Sequence, residues 1–137
     1  MKKYMILLFV CLLPFLYFYE SKYFLTEEKA KNIINPMITT ISNYIKVNHK
    51  FPTHLKEIES FPYKHHRYEY ESSFYYVLNT SYTGQTTLNT GRIKENFYVQ
   101  IIFEEVKLGT RSCDYFFNIN GTYTGNCYKA SGFGVNR

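Results

Sequence analysis

The side chains best suited to chemistry in this chain are three cysteines and four histidines. His65 and His66 are adjacent, and adjacent residues of an extended segment face opposite sides. His49 and His54 flank the pair Phe51-Pro52. No His-x3-His spacing and no neighbouring cysteine accompany them, as a zinc site would require. Glu104-Glu105 are adjacent in the same way and lack a partner motif for acid–base work. Ser131-Gly132-Phe133-Gly134 lacks the G-x-S-x-G frame of a nucleophile elbow, and the glycines form no phosphate-binding fingerprint. Asp114 is the only carboxylate after Glu105, whereas a hard cation wants several. The expectation is a chain with no catalytic residue, no metal, no cofactor and no small-molecule substrate.

The cysteines point elsewhere. Cys11 sits inside an apolar run, which leaves Cys113 and Cys127 as an even pair near the C-terminus. A two-residue turn at Asn120-Gly121 would put them on opposite faces of a hairpin, where no bond can form. A three-residue loop, Ile119-Asn120-Gly121 with Gly121 in the left-handed region, pairs Asn118 with Thr122 and sets the cysteines directly across from one another. This register predicts a Cys113–Cys127 disulfide, and a disulfide suits an oxidising compartment.

These residues sit in a chain of 137 with 15 Tyr, 12 Phe and no Trp. So aromatic a chain is not disordered, since disorder goes with few aromatics. The length allows one ordinary domain. Residues 26–137 carry 13 Lys and Arg against 10 acids, scattered without a polybasic run. A nucleic-acid partner is therefore not expected.

At the N-terminus Met1-Lys2-Lys3 precedes Tyr4–Tyr19, sixteen residues without a charge. A basic start before an apolar run is the layout of a signal segment. Tyr19, at position −3 of the best cleavage site, is too bulky for that role, so an uncleaved anchor is expected, with a cleaved secreted form as the rival. Sixteen residues at a 1.5 Å rise span roughly 24 Å, short of a core of ~30 Å; helix continued through Leu25 would close the gap. The expected division is a membrane anchor over 1–25, contacting the bilayer through residues 4–25, and a domain over 26–137. Lys2 and Lys3 favour a cytoplasmic N-terminus. With the cysteine pair outside, the expected location is a bacterial cytoplasmic membrane, with the domain extracytoplasmic.

Within the domain, Thr26 before Glu27-Glu28 reads as a helix start. Ile33, Ile34, Met37, Ile38, Ile41, Tyr44 and Ile45 form an apolar stripe at helical spacing. The stripe stays in phase across Asn35-Pro36, which predicts one kinked helix. Phe51-Pro52 ends it, and a short turn of helix spans 54–60. Arg67–Ser72 alternates as a strand, Phe74–Leu78 is a second and Asn96–Val106 a third. Cys113–Ile119 and Thr122–Tyr128 form the hairpin. Asn79–Arg92, rich in Thr, Ser, Asn and Gly, reads as one long exposed loop.

This order of elements resembles the type IV pilins and pseudopilins. The local likeness lies in Ile41-Ser42-Asn43-Tyr44-Ile45-Lys46 and in Asn48-His49-Lys50-Phe51-Pro52-Thr53-His54-Leu55-Lys56-Glu57-Ile58. The resemblance implies an α+β fold in which an N-terminal transmembrane helix continues into a kinked amphipathic helix packed on a small antiparallel sheet. It implies an accessory subunit of a secretion or pilus-type apparatus. The chain lacks the small-residue, Phe and Glu pattern of a prepilin processing site, so processing and filament assembly are not expected to follow. The expected function is non-enzymatic contact with a protein of the cell envelope, and the alternative is a membrane-tethered immunity or inhibitor protein that binds a toxin or envelope enzyme. Tyrosine is denser around 68–76 than one buried face can use. The Asn79–Arg92 loop and the disulfide hairpin are the expected contact surface, with the tyrosine surplus beside them; the candidate contact residues are Tyr68, Tyr70, Tyr75, Tyr76, Thr83, Gln85 and Arg92.

Overall fold

A computed structural model describes residues 25–70, 73–105 and 109–130. Helix α1 spans Glu27–Asn48. Thr26 caps it with extended backbone (φ −68°, ψ 160°), and its hydroxyl accepts from the Lys29 amide at 3.2 Å. Glu27 and Glu28 set negative charge on the positive end of the helix dipole, and Glu27 pairs one turn on with Lys31 at 2.6 Å. The helix ends at His49, whose left-handed backbone (φ 50°) lets its amide donate to Ile45 O at 2.8 Å. Ala30, Ile34, Met37, Ile38, Ile41 and Ile45 are its buried stripe.

Past Phe51-Pro52 a single 3-10 turn, Leu55–Glu57, delivers Leu55 to the core. Six strands follow: β1 His65–Tyr70, β2 Ser73–Leu78, β3 Gln85–Ile93, β4 Asn96–Glu105, β5 Gly109–Phe117 and β6 Tyr123–Ala130. They lie in sequence order and every neighbouring pair is antiparallel, so the sheet is a plain meander. Alternation sorts their side chains into two faces. Tyr76, Leu78, Leu88, Phe97, Val99, Ile101, Phe103, Cys113, Tyr115, Phe117 and Cys127 are buried with the helix stripe in one core.

Two features of the expected fold are overturned. The described residues form mostly a six-stranded antiparallel sheet with a single α-helix, not a long helix with a small sheet beside it. Asn79–Arg92 is not one loop: its second half is β3, between β2 and β4. Thr86 and Leu88 are buried there, and β-branched threonine suits a pleated strand. The helix also does not run in from a membrane segment. Leu25 and Thr26 are non-helical, Leu25 is 5% exposed within the core, and its carbonyl accepts from Arg111 Nε at 3.0 Å. Leu25 thus belongs to the domain, and the helix starts afresh after the Thr26 cap. Among the described residues no helix is long and apolar enough to cross a membrane. The anchor expected over residues 1–25 otherwise lies outside the described residues.

The C-terminal hairpin has the three-residue loop. Asn118 N donates to Thr122 O at 2.8 Å and Gly121 N to Asn118 O at 2.9 Å, with Gly121 at φ +83°. Counting back from that hydrogen-bonded pair, Cys113 and Cys127 fall on a non-hydrogen-bonded pair, where opposed side chains come closest. They are directly opposed, Cα atoms 4.0 Å apart, and joined as a disulfide. The loop is also clamped to the helix, since Ser42 Oγ donates to Gly121 O at 2.6 Å.

Candidate functional site

Helix α1 covers one face of the sheet, and no described element packs on the other. Register and alternation place Tyr68 of β1, Tyr75 and Val77 of β2, Asn89 of β3, Tyr98, Gln100 and Ile102 of β4, Asp114 and Phe116 of β5, and Asn126 and Tyr128 of β6 on this open face.

Its aromatic rings come in cross-strand pairs. Tyr68 and Tyr75 are directly opposed and stacked, with centroids 5.2 Å apart and planes 14° apart. Tyr98 and Phe116 are likewise opposed, at 5.1 Å. Such pairs are worth about 0.5–1.5 kcal/mol beyond their burial. Between them Asn89 Nδ2 donates to Gln100 Oε1 at 3.2 Å.

Asp114 organises the far side. Its Oδ1 accepts from Tyr98 at 2.9 Å and its Oδ2 from Tyr128 at 2.5 Å. Both phenols are pushed above the ordinary tyrosine range: Tyr98 first by burial and then by the Asp114 carboxylate, Tyr128 first by its hydrogen bond to Asp114. Each stays a proton donor, and the carboxylate is already bonded on both oxygens.

The strands carry four basic side chains, Arg67, Arg92, Arg111 and Lys129, and register puts all four on the helix side. The open face therefore carries no basic strand residue; its carboxylates are Asp114 and, at the rim beside Gln85, exposed Glu104, and the rest is rich in hydroxyls, amides and rings. That composition suits the desolvated centre of a protein interface, where charge is depleted and tyrosine enriched.

The expected contact residues divide. Tyr68, 47% exposed, and Tyr75 lie together on the open face, with Gln85 exposed at the start of β3. Tyr76 is 2% exposed and belongs to the core, so it is no part of a contact surface. Arg92 faces the helix side, its guanidinium 5.5 Å from the Phe51 ring centroid, and Phe51 stacks on Phe97 at 5.7 Å. Thr83 is exposed in the turn before β3. Tyr70 lies in β1, with its side chain outside the described residues.

Asp114, Phe116 and Tyr128 lie in the disulfide hairpin expected as a contact surface, though not singled out; Tyr98 of β4 is not expected from the sequence. The period-two spacing of Tyr98, Gln100 and Ile102 against Phe97, Val99, Ile101 and Phe103 was the available signal, because it marks a second, less apolar face on β4.

Among the described residues no group of three or more His, Cys, Asp or Glu could hold a metal ion. Comparison with protein-family models, with curated proteins and with solved structures finds no match for this chain.

Proposed function

We propose that this chain is a non-enzymatic contact domain that works outside the cytoplasm, binding another protein through the open face of its sheet. The observation that carries the reading is the pairing of aromatic rings on a face with no basic strand residue and a carboxylate already bonded by two phenols. Tyrosine anchors of this kind dominate binding energy where a partner excludes water from them. The partner implied is a folded protein whose matching surface is also low in charge, since a strongly charged one would lose its hydration without gaining counter-charges.

The extracytoplasmic setting is supported by the Cys113–Cys127 disulfide and by the uncharged run Tyr4–Tyr19 behind Lys2-Lys3. A partner belonging to an envelope apparatus makes the chain an accessory subunit; a toxin or envelope enzyme makes it an inhibitor.

A photo-crosslinking amino acid placed at Tyr68 or Tyr128, on the open face, is expected to give one discrete protein adduct in cells expressing the chain. The same group at Asn43 or Val47, on the exposed side of α1, is expected to give none. Adducts from the helix positions alone, or none from either open-face position, would refute the proposal.

A further inference from the structure

One row of the open face takes a residue from each strand in turn: Tyr68, Tyr75, Asn89, Gln100, Asp114 and Asn126. The β3–β4 boundary is the midline of the face, with three strands on either side. Gly91 and Tyr98 stand opposite one another across it. A Cβ added at Gly91 would meet nothing within 4 Å, so the face has a notch there. Tyr98 leaves the notch uncovered, because its ring packs with Phe116 and its phenol is bonded to Asp114, both on β5. Glycine weakens a strand interior, and it often marks a place where another chain comes close.

The pairs across the midline are complementary in size and charge. Gly91 opposes Tyr98, Asn89 opposes Gln100, Thr87 opposes Ile102 and Gln85 opposes Glu104. A two-fold axis in the contact plane, along the strands at this boundary, exchanges the members of each pair between two copies. One copy's Tyr98 is then set over the other's bare Gly91, amide meets amide, a threonine methyl meets Ile102, and Glu104 meets a glutamine amide. The same axis carries Tyr75 of the second copy over Asp114, so no carboxylate is set against another.

The size of the face agrees. Its strands are 6 to 10 residues long. At about 4.8 Å between strands and about 3.4 Å per residue, six of them make a face of about 750 Å². A standard interface takes about 800 Å² from each partner. Two such sheets pack face to face as the halves of a sandwich do. A contact that uses the same surface on both copies closes at two and leaves no end for a third.

We infer that the protein closing the open face is a second copy of this chain, packed sheet to sheet about a two-fold axis along the β3–β4 boundary. The inference rests on the open-face reading and names the partner for it.

The test begins with the photo-crosslinking group at Tyr68 or Tyr128 of the full chain in cells, with each adduct mapped by mass spectrometry. The axis sets Tyr68 opposite Asn126 of the second copy, and Tyr128 opposite His66. Either position is expected to give an adduct of twice the chain's mass that joins β1 of one copy to β6 of the other. Sedimentation equilibrium of the purified full chain in mild detergent is expected to show monomer and dimer in exchange. Gly91→Phe fills a notch that the dimer contains twice. It should weaken association at least tenfold without lowering the urea midpoint. Asn43→Phe, on the exposed side of α1, should leave association unchanged. A link from β1 to β1, a link within one chain, or dimers that Gly91→Phe leaves intact would overturn the inference. An adduct with a different protein also overturns it but leaves the open-face reading standing, whereas no adduct from either position sinks both.

Discussion

Reducing the Cys113–Cys127 bond should remove a large part of the stability of this domain. The two cysteines are 14 apart in sequence, so the bond closes a loop of about 15 residues, and constraining such a loop in the unfolded chain is worth about 3 kcal/mol. Domains of this size are stable by only about 5–15 kcal/mol. Both cysteines are buried, at 0% and 3% exposure, and reduction makes the two sulfurs separate from bonded to van der Waals distance, so a packing cost adds to the loop term. The loop term alone sets the smallest expected loss. Urea unfolding followed by circular dichroism, with and without a reductant, should show a drop of at least about 3 kcal/mol, equivalent to roughly 10–15 °C in Tm. The denaturant slope should rise on reduction, because the freed chain exposes more surface when unfolded. The double variant Cys113→Ala, Cys127→Ala should lose somewhat more, since it also removes two buried sulfurs. If alkylation shows both thiols free while the reduced and oxidised midpoints coincide within about 0.5 kcal/mol, the chain-entropy reasoning of this register is refuted.

Gly121→Ala should destabilise by about 1–3 kcal/mol, because φ +83° is strained for any side chain and a Cβ there would lie 2.8 Å from Ser42 O and 2.9 Å from Lys46 Cβ. A Cβ added at Gly91 in β3 meets nothing within 4 Å, so Gly91→Thr should be neutral or stabilising by about 0.5 kcal/mol; paired urea melts of the two variants check both. Asp114→Asn leaves one oxygen to serve two phenols, so it should cost about 1 kcal/mol, and ultraviolet titration should show at least one high-titrating tyrosine moving down toward the ordinary range. Glu57 is held below the usual carboxylate range first by its hydrogen bond from Tyr44, and then by the His54 and Thr53 amides and Lys50. A depressed folded value means its stabilisation is complete above the unfolded glutamate value of about 4.3 and is lost as pH falls through the lower folded value. The stability gap between the parent and Glu57→Gln should accordingly be widest at neutral pH and close in strong acid; a gap that stays constant with pH would contradict the assignment.

Local signals with one physical solution were legible in the sequence. Thr26 before two acids identifies the helix start because a hydroxyl can accept an orphan amide there. The hairpin register followed from asking which loop length lets Cys113 meet Cys127, and one register does so. Strand β3 was not legible for a complementary reason. Its nine residues Gln85–Ile93 contain Asn89 and Gly91, both loop-formers in isolation, and only Leu88 and Ile93 are aliphatic. Their place as a strand depends on β2 and β4 supplying hydrogen bonds on both sides, which no local window contains. Leu25 misled in the opposite sense: its apolar neighbours Tyr23 and Phe24 made it read as the end of a membrane run, while its partners Arg111 and the core lie far along the chain.

The open face escaped the sequence for the same reason as β3, since it exists only once six strands are aligned. Its basic residues make the point. Spread along the chain, Arg67, Arg92, Arg111 and Lys129 look like a scattered positive charge without meaning. Aligned by register, each lies on the helix side, with Arg92 over Phe51 and Arg111 on the Leu25 carbonyl. A phosphate backbone is held by cations that replace its condensed counterions, and the open face presents it with none from the strands. What the face does present is rings fixed in pairs and phenols fixed on a carboxylate, so little side-chain entropy remains to be lost when a surface closes over them. A preordered, charge-poor face gains most from a partner that is itself folded and neutral, which is why the protein-contact reading is preferred to a polyanion partner. The strand cations stand on the helix side, and the paired rings stand where a broad surface can close over them.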